Sequence, residues 1–230
     1  MVKGTLSHII PGKGVAIQTL GSSFPAAWNN GHEGYGELTI VSKFSDAELE
    51  AGDLNTHLYR KIAVVGHLSE VDLLNKLVET EIAGLICGTV TPDVFQMAAT
   101  INVPVALTDG VGSGGIYSKI FDILSQNNGN HTAIYNQDFN ILGRPVVVIV
   151  NPDLEPENVE RPQSSSGIKL KRGHRVRLIT GNNRGVEGVV EKVHAWPQAT
   201  LNGTRHMGAD VKFGDDESVF VPTVNLDIIL

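Results

Sequence analysis

The chain has 230 residues, of which 41% are hydrophobic and 19% charged, with a formal net charge of −7 at pH 7. These proportions are typical of folded globular proteins and exclude an intrinsically disordered chain. No apolar run approaches the roughly 20 residues of a membrane-spanning helix. The opening MVKGTLSHIIPGKG also lacks the basic and apolar segments of a signal peptide. We therefore expect no membrane partner and a cytoplasmic location.

The cysteine and histidine residues limit which disulfides, metal sites and catalytic groups the chain can form. The single cysteine, Cys87, excludes an internal disulfide and is ordinary for a cytosolic protein. No group of Cys and His residues has the short spacing of a zinc site, so we predict neither a metal nor a cofactor. His32 stands beside Glu33, but a catalytic pair also needs a pocket and a third partner. The sequence predicts no catalytic residues.

Strand and helix patterns alternate through residues 1–150. Strands are predicted where apolar residues alternate or run together: Gly14–Leu20, Glu37–Ser42, Ile62–Val65, Ala83–Cys87, Pro104–Thr108, Thr132–Tyr135 and Val146–Val150. Helices are predicted from Ser69, from the Thr91-Pro92 pair and over Ile116–Gln126. Ser22–Gly36, rich in Gly and Asn, is predicted as a long loop. This order predicts an α/β domain with a mostly parallel sheet.

Part of this domain resembles a known family. The segment AGLICGTVTPDVFQMAATINVPVALTDGVG, residues 83–112, is similar to swivelling β/β/α domains, which include the phosphohistidine domains of phosphoenolpyruvate-using enzymes. The resemblance implies a phosphorylated histidine just after the glycine turn. This chain has Thr89, Val90 and Thr91 there, so phosphoryl transfer by that route is not expected.

A glycine-rich stretch, TDGVGSGGI, connects the Pro104–Thr108 strand to the last predicted helix. Backbone amides at a helix N-terminus can bind an anion. The candidate anion-binding residues are Gly110, Gly112, Ser113, Gly114 and Gly115. The alternative is a tight turn with close packing, because neither a Walker loop nor GxGxxG is present.

A composition change then marks a domain boundary. Residues 151–167, NPDLEPENVERPQSSSG, hold three prolines, four acidic residues and three consecutive serines, and show no apolar periodicity. Proline restricts its neighbours and removes backbone donors, so we predict a linker between domains at 1–150 and 168–230. The charge also changes here: residues 1–150 sum to −6, whereas residues 167–195 hold seven basic and two acidic residues.

Residues 168–230 show strand patterns alone, which predicts a small all-β barrel. The strands are Arg175–Thr180, Glu187–Val193, Ala209–Phe213 and Ser218–Pro222. The stretch LKRGHRVRLITGNNRGVEGVVEKV, residues 170–193, resembles the KOW motif of ribosomal large-subunit proteins and transcription elongation factors, which lies on an SH3-like barrel. The VPTVNL segment, residues 221–226, resembles the closing strand region of that barrel. A bacterial family joins a swivelling-type domain to such a terminal barrel, and the whole chain resembles it.

The KOW resemblance implies RNA contacts around the central glycine turn. The candidate nucleic-acid-binding residues are Lys171, Arg172, Arg175, Arg177, Asn182, Asn183 and Arg184. Barrels of this type also bind proteins or serve as structural modules. Residues 194–208 extend the usual hairpin and add Trp196, which either forms a docking surface or covers the barrel end.

Three functional hypotheses follow from these patterns. The first is a non-enzymatic scaffold or assembly protein whose two modules dock onto protein neighbours or further copies of the chain. The second is an RNA- or ribosome-associated factor that binds through the basic barrel. The third is an enzyme or small-anion binder that uses the loop Gly110–Gly115.

Overall fold

The structure is a computed structural model that describes residues 5–136, 145–151, 170–179, 185–200, 203–214 and 218–229. The chain divides into two compact units, Met1–Ser164 and Ser165–Leu230. Strand predominates over helix in the described residues. Each unit is described by itself.

The first unit contains an eight-stranded mixed sheet in the order β3-β10-β9-β5-β6-β7-β8-β4. The strands are β3 (Gly21–Pro25), β4 (Trp28–Asn29), β5 (Gly34–Ile40), β6 (Lys61–Leu68), β7 (Gly84–Val90), β8 (Val105–Val111), β9 (His131–Tyr135) and β10 (Val146–Val150). Strands β5 to β8 are parallel, whereas every other pairing is antiparallel. The prediction of a mostly parallel sheet is therefore correct for the centre alone. Helices connect β6 to β7 and β7 to β8, as parallel pairing of consecutive strands usually requires.

Three helices follow the parallel strands: α1 (Val71–Glu79), α2 (Pro92–Ala98) and α3 (Ser118–Gln126). Thr91 and Pro92 begin α2 as predicted, because proline needs no donor partner in the first turn. Helix α1 begins later than predicted, since Glu70 is its N-cap residue. The Ser69 hydroxyl donates instead to the Glu48 carboxylate. All three predicted helices are present.

The sheet is covered on both faces, which explains its continuous apolar strands. Leu74 and Leu77 of α1 and Val94 of α2 pack in one core cluster, whereas Ile120 and Leu124 of α3 pack in the other. Leu85, Ile86 and Cys87 of β7 alternate between these clusters, and all seven residues of that strand are buried. Burial on both faces is the usual state of parallel strands.

The prediction of a loop over Ser22–Gly36 is wrong. This segment contains most of β3, all of β4 and the start of β5. Its strands are short and rich in small polar residues, so their periodicity is weak. Asn30 also stabilises the segment, because its side-chain amide donates to the carbonyls of Ile101 and Val103 and its oxygen accepts from the Val105 amide.

A separate hairpin precedes the large sheet. Strands β1 (Thr5–Ile10) and β2 (Gly14–Gln18) pair antiparallel and form a two-stranded sheet of their own. The sequence predicts β2 but not β1. The turn between them contains Gly12 at φ 71°, a conformation that favours glycine.

The second unit is built around a five-stranded antiparallel sheet in the order β16-β15-β12-β11-β17. Its strands are β11 (Arg175–Leu178), β12 (Glu187–Val193), β15 (Gly208–Lys212), β16 (Val219–Pro222) and β17 (Leu226–Ile229). Two short strands, β13 (Gln198–Ala199) and β14 (Arg205–His206), form a separate arm. Val176, Val190 and Val211 lie at the centre of its core.

Candidate functional sites

The glycine-rich loop leads from β8 to α3, and its glycines occupy positions where a side chain would be strained or would clash. Gly110, Gly112 and Gly114 have φ of 90°, 139° and 123°, which L side chains rarely adopt. Gly115 approaches another segment closely: a Cβ there would stand 1.9 Å from the Ser45 carbonyl oxygen. Tight turns and close packing therefore account for the four glycines.

The amides that follow this loop already have acceptors within the protein. The buried carboxylate of Asp109 accepts from the Tyr117 amide at 3.1 Å, at the N-cap of α3, and from the Thr108 hydroxyl at 2.7 Å. The Ile116 amide donates to the Ser45 carbonyl at 2.7 Å. A carboxylate thus stands where an anionic ligand was expected, and a second anion would be repelled by it.

The proposed anion-binding residues consequently have structural roles. The amide of Gly112 donates to the Val90 carbonyl at 2.9 Å, and the Gly114 carbonyl accepts from the Thr89 hydroxyl at 2.6 Å. Ser113, between them, is exposed. We do not base a function on this loop.

A histidine that the sequence did not single out lies at the same edge of the sheet. His67 on β6 is the register partner of Thr89 on β7, and its Nδ1 lies 2.7 Å from the Thr89 hydroxyl. Because that hydroxyl donates to Gly114, the contact requires a proton on Nδ1. The three residues link β6, β7 and the glycine loop. Parallel register, which the sequence does not display, brings them together.

Among the described residues of the first unit, the remaining candidates Cys87, His32 and Glu33 do not form a catalytic site. Cys87 is fully buried, and burial raises the pKa of its thiol, so that the thiolate needed for nucleophilic chemistry is suppressed. His32 and Glu33 are exposed, and the Glu33 carboxylate accepts from the Asn136 amide. Within the described ranges, no three His, Cys, Asp or Glu residues are grouped as metal ligands.

Two of the predicted RNA-binding arginines are engaged in ion pairs. Arg177 is only 2% exposed, and its Nη2 lies 2.8 Å from Oδ2 of Asp227, its register partner on β17. Arg175 pairs with Glu187 at 2.5 Å, although its side chain is 61% exposed. The Arg177 guanidinium is therefore inaccessible to a phosphate.

The other predicted RNA-binding residues divide into two groups. Lys171 and Arg172 are exposed in the turn before β11. Asn182, Asn183 and Arg184 lie outside the described residues. Two further exposed lysines, Lys192 on β12 and Lys212 on β15, were not predicted to bind RNA.

A groove of about 410 Å³ crosses the outer face of the five-stranded sheet. Val189 of β12 lies between its register partners Arg175 and Lys212, and is 44% exposed. Glu187 and Glu191 also line the groove. The groove therefore contains both cations and carboxylates, and Glu187 forms an ion pair with Arg175.

The arm of the second unit exposes large apolar side chains. Trp196, just before β13, is 77% exposed, and Met207, just after β14, is 49% exposed. The Met207 carbonyl accepts from the Thr223 amide, which places Met207 beside Val224, itself 57% exposed. Because Gln198 pairs with His206, Trp196 and Met207 lie at the same end of the β13–β14 pair, and we call these two residues together with Val224 the arm patch. The alternative in which Trp196 covers the barrel end is wrong, because its side chain contacts mainly solvent.

The first unit also exposes apolar side chains, on the hairpin of β1 and β2. Leu6, Ile9 and Val15 are 56%, 67% and 55% exposed. Aliphatic side chains normally lose most of their exposure on folding, and neighbouring exposed ones are typical of interaction surfaces.

No helix in the part of the chain that the structure describes is long and apolar enough to cross a membrane. Comparison of the chain with protein-family models, with curated proteins and with solved structures finds no match.

Proposed function

We propose that this protein is a non-enzymatic scaffold of two modules that dock onto protein neighbours. In this proposal the first unit is a swivelling-type α/β domain, and the second is an SH3-like barrel of the KOW type. The parallel strands β5 to β8 with their helices support the first assignment, and the antiparallel five-stranded sheet supports the second. A cytoplasmic location belongs to the same proposal and is supported by the single free cysteine.

The observation that carries the proposal is the exposure of Trp196. A tryptophan that is 77% exposed leaves a large apolar area in water, and tryptophan dominates the energetics of many protein interfaces. Met207 in the same patch adds an adaptable apolar contact. The polar groups of the glycine loop, by contrast, are bonded within the protein. The exposed apolar side chains are therefore better candidates for a binding site than this loop.

Site-specific photo-crosslinking tests docking at the arm patch. A photoreactive phenylalanine replaces Trp196 in the full chain, expressed in its native cells, and the control places the same residue at Gln126. Gln126 is a polar residue exposed at the end of α3, in the other unit. We expect defined protein adducts from position 196 that position 126 does not form. Equal labelling at both positions would refute docking through this patch.

RNA binding through the second unit is the second candidate function, and the charge distribution favours it. Among the described residues of this unit, each carboxylate accepts a bond from within the unit: Glu187, Glu191, Asp210 and Asp227. Lys171, Arg172, Lys192 and Lys212 form no ion pair within these described ranges. Exposed cations without paired carboxylates attract phosphate.

Fluorescence anisotropy with a single-stranded oligoribonucleotide tests this candidate. Alanine at both Lys171 and Arg172 is expected to weaken binding and to reduce the slope of log affinity against log salt by about 1.4, at about 0.7 per phosphate contact on a single strand. Alanine at Lys76, an exposed cation on α1 of the other unit, is the control. Binding without a salt slope, or equal losses in both variants, would refute it.

A further inference from the structure

The hairpin of β1 and β2 has one apolar face, and an irregularity in β1 produces it. Side chains three positions apart on a regular strand point to opposite faces. The pairing register shifts between Leu6 and His8, which inserts one extra residue into β1. Leu6 and Ile9 thereby come to the same face, and Val15 joins them as the register partner of Ile9.

This face is exposed although such a hairpin needs support. Leu6, Ile9 and Val15 each keep more than half of their accessible surface, and among the described strands β1 and β2 pair only with each other. An isolated two-stranded hairpin is marginally stable in water, and a shared apolar face is what usually stabilises it. A partner that covers this apolar face would therefore stabilise the hairpin.

The charge of the hairpin indicates which occupant fits. Residues 5–18 contain one charged side chain, Lys13, which lies in the turn, whereas the whole chain carries −7. Two copies of an acidic protein repel each other across most of their surfaces, but not across a neutral segment.

We propose that the occupant is a second copy of this chain, whose hairpin packs face to face on the first about a two-fold axis. An apolar face is its own complement, so the same residues serve both sides of a two-fold interface. Two stacked hairpins give four strands around one small core of six aliphatic side chains, Leu6, Ile9 and Val15 from each copy. This inference rests on the proposed scaffold function and specifies one of its partners.

Sedimentation equilibrium of the full chain over a wide concentration range tests the proposal. The wild-type protein is expected to reach twice the 24.7 kDa monomer mass. Ile9→Asp should weaken dimerisation about 1,000-fold, because a central interface side chain contributes about 30-fold and the two-fold axis presents the substitution twice. Phe44→Asp is the matched control, since Phe44 is 68% exposed in the same unit but outside the hairpin. That variant should dimerise as the wild type does.

Each outcome decides the matter. A wild-type protein that stays monomeric overturns the proposal that a second copy covers the hairpin. In that case, adducts from position 196 would still support docking onto other proteins. A dimer that Ile9→Asp leaves intact also overturns it, because another surface must then hold the copies together. Val15→Asp provides a second substitution on the partner strand, and protection of the buried Cys87 thiol from labelling verifies that each variant is folded.

Discussion

Removal of the Arg177 guanidinium is expected to destabilise the second unit rather than to weaken a surface contact. Arg177 is 2% exposed and pairs at 2.8 Å with Asp227, which is 15% exposed. Arg177→Met removes the cation that faces the largely buried Asp227 carboxylate. Breaking a buried ion pair typically costs about 3–5 kcal/mol, and residual hydration of Asp227 places the expected cost near the lower value.

That cost is large for a small unit. The second unit, Ser165–Leu230, has 66 residues, and about 1 kcal/mol changes the melting temperature of such a domain by roughly 4–8 °C. Arg177→Met should therefore lower the melting temperature of this unit by about 12–24 °C. The double variant Arg177→Met/Asp227→Leu removes both charges and should recover most of the loss.

Calorimetry of the full chain measures the shift, and hydrogen exchange of peptides from β11 and β17 assigns it to the second unit. Arg175→Met is the matched control, because Arg175 lies two residues away on the same strand with a 61% exposed side chain. An exposed pair contributes about 0–1 kcal/mol, so this control should melt within a few degrees of the wild type. An unchanged melting temperature for Arg177→Met, or a double variant less stable than the single one, would refute the reasoning.

Three further predictions concern the first unit. The Cys87 thiol, whose pKa is raised by burial, should react with a thiol reagent at neutral pH only as the unit unfolds, and fast labelling of the native protein would contradict this burial. Gly115→Ala should lower the free energy of unfolding in urea by at least about 3 kcal/mol, because its Cβ would overlap the Ser45 carbonyl oxygen. Gly52 has open space around it, so Gly52→Ala should change that free energy by less than about 1 kcal/mol. Equal effects of the two substitutions would contradict the close approach at Gly115. Asp109→Ala should cost about 1–3 kcal/mol because it removes the carboxylate that accepts from the Tyr117 amide and the Thr108 hydroxyl. Phosphate should not raise the wild-type melting temperature, and a phosphate-dependent rise would favour the anion-site hypothesis.

The central part of the first unit could be predicted because its signals are local. The apolar stripe of α1 and the Thr91-Pro92 start of α2 depend on neighbouring residues, and both helices are present. β7 is a continuous apolar run, as expected of a strand buried on both faces. The extra residue in β1 hides its alternation, so periodicity alone does not reveal that strand.

The candidate sites depended on contacts between distant residues, and the sequence could not display them. Arg175 and Arg177 look alike in a basic strand, but only Arg177 is buried, where it bonds to Asp227, 50 residues away in the sequence. The glycine loop has the composition of an anion site, but the structure shows that Asp109 and Ser45 already accept from the nearby amides. Trp196 left two interpretations open, and only its exposure distinguishes them.

The most direct test of the scaffold function is the molar mass of the full chain purified without nuclease, measured by light scattering on a sizing column with absorbance at 260 and 280 nm. With a second copy of the chain as one of its partners, the scaffold proposal predicts a species heavier than the 24.7 kDa monomer, with the absorbance ratio of protein alone. A single 24.7 kDa protein chain bound to nucleic acid, seen as added mass and 260 nm absorbance that salt removes, would contradict it and make RNA binding the leading function.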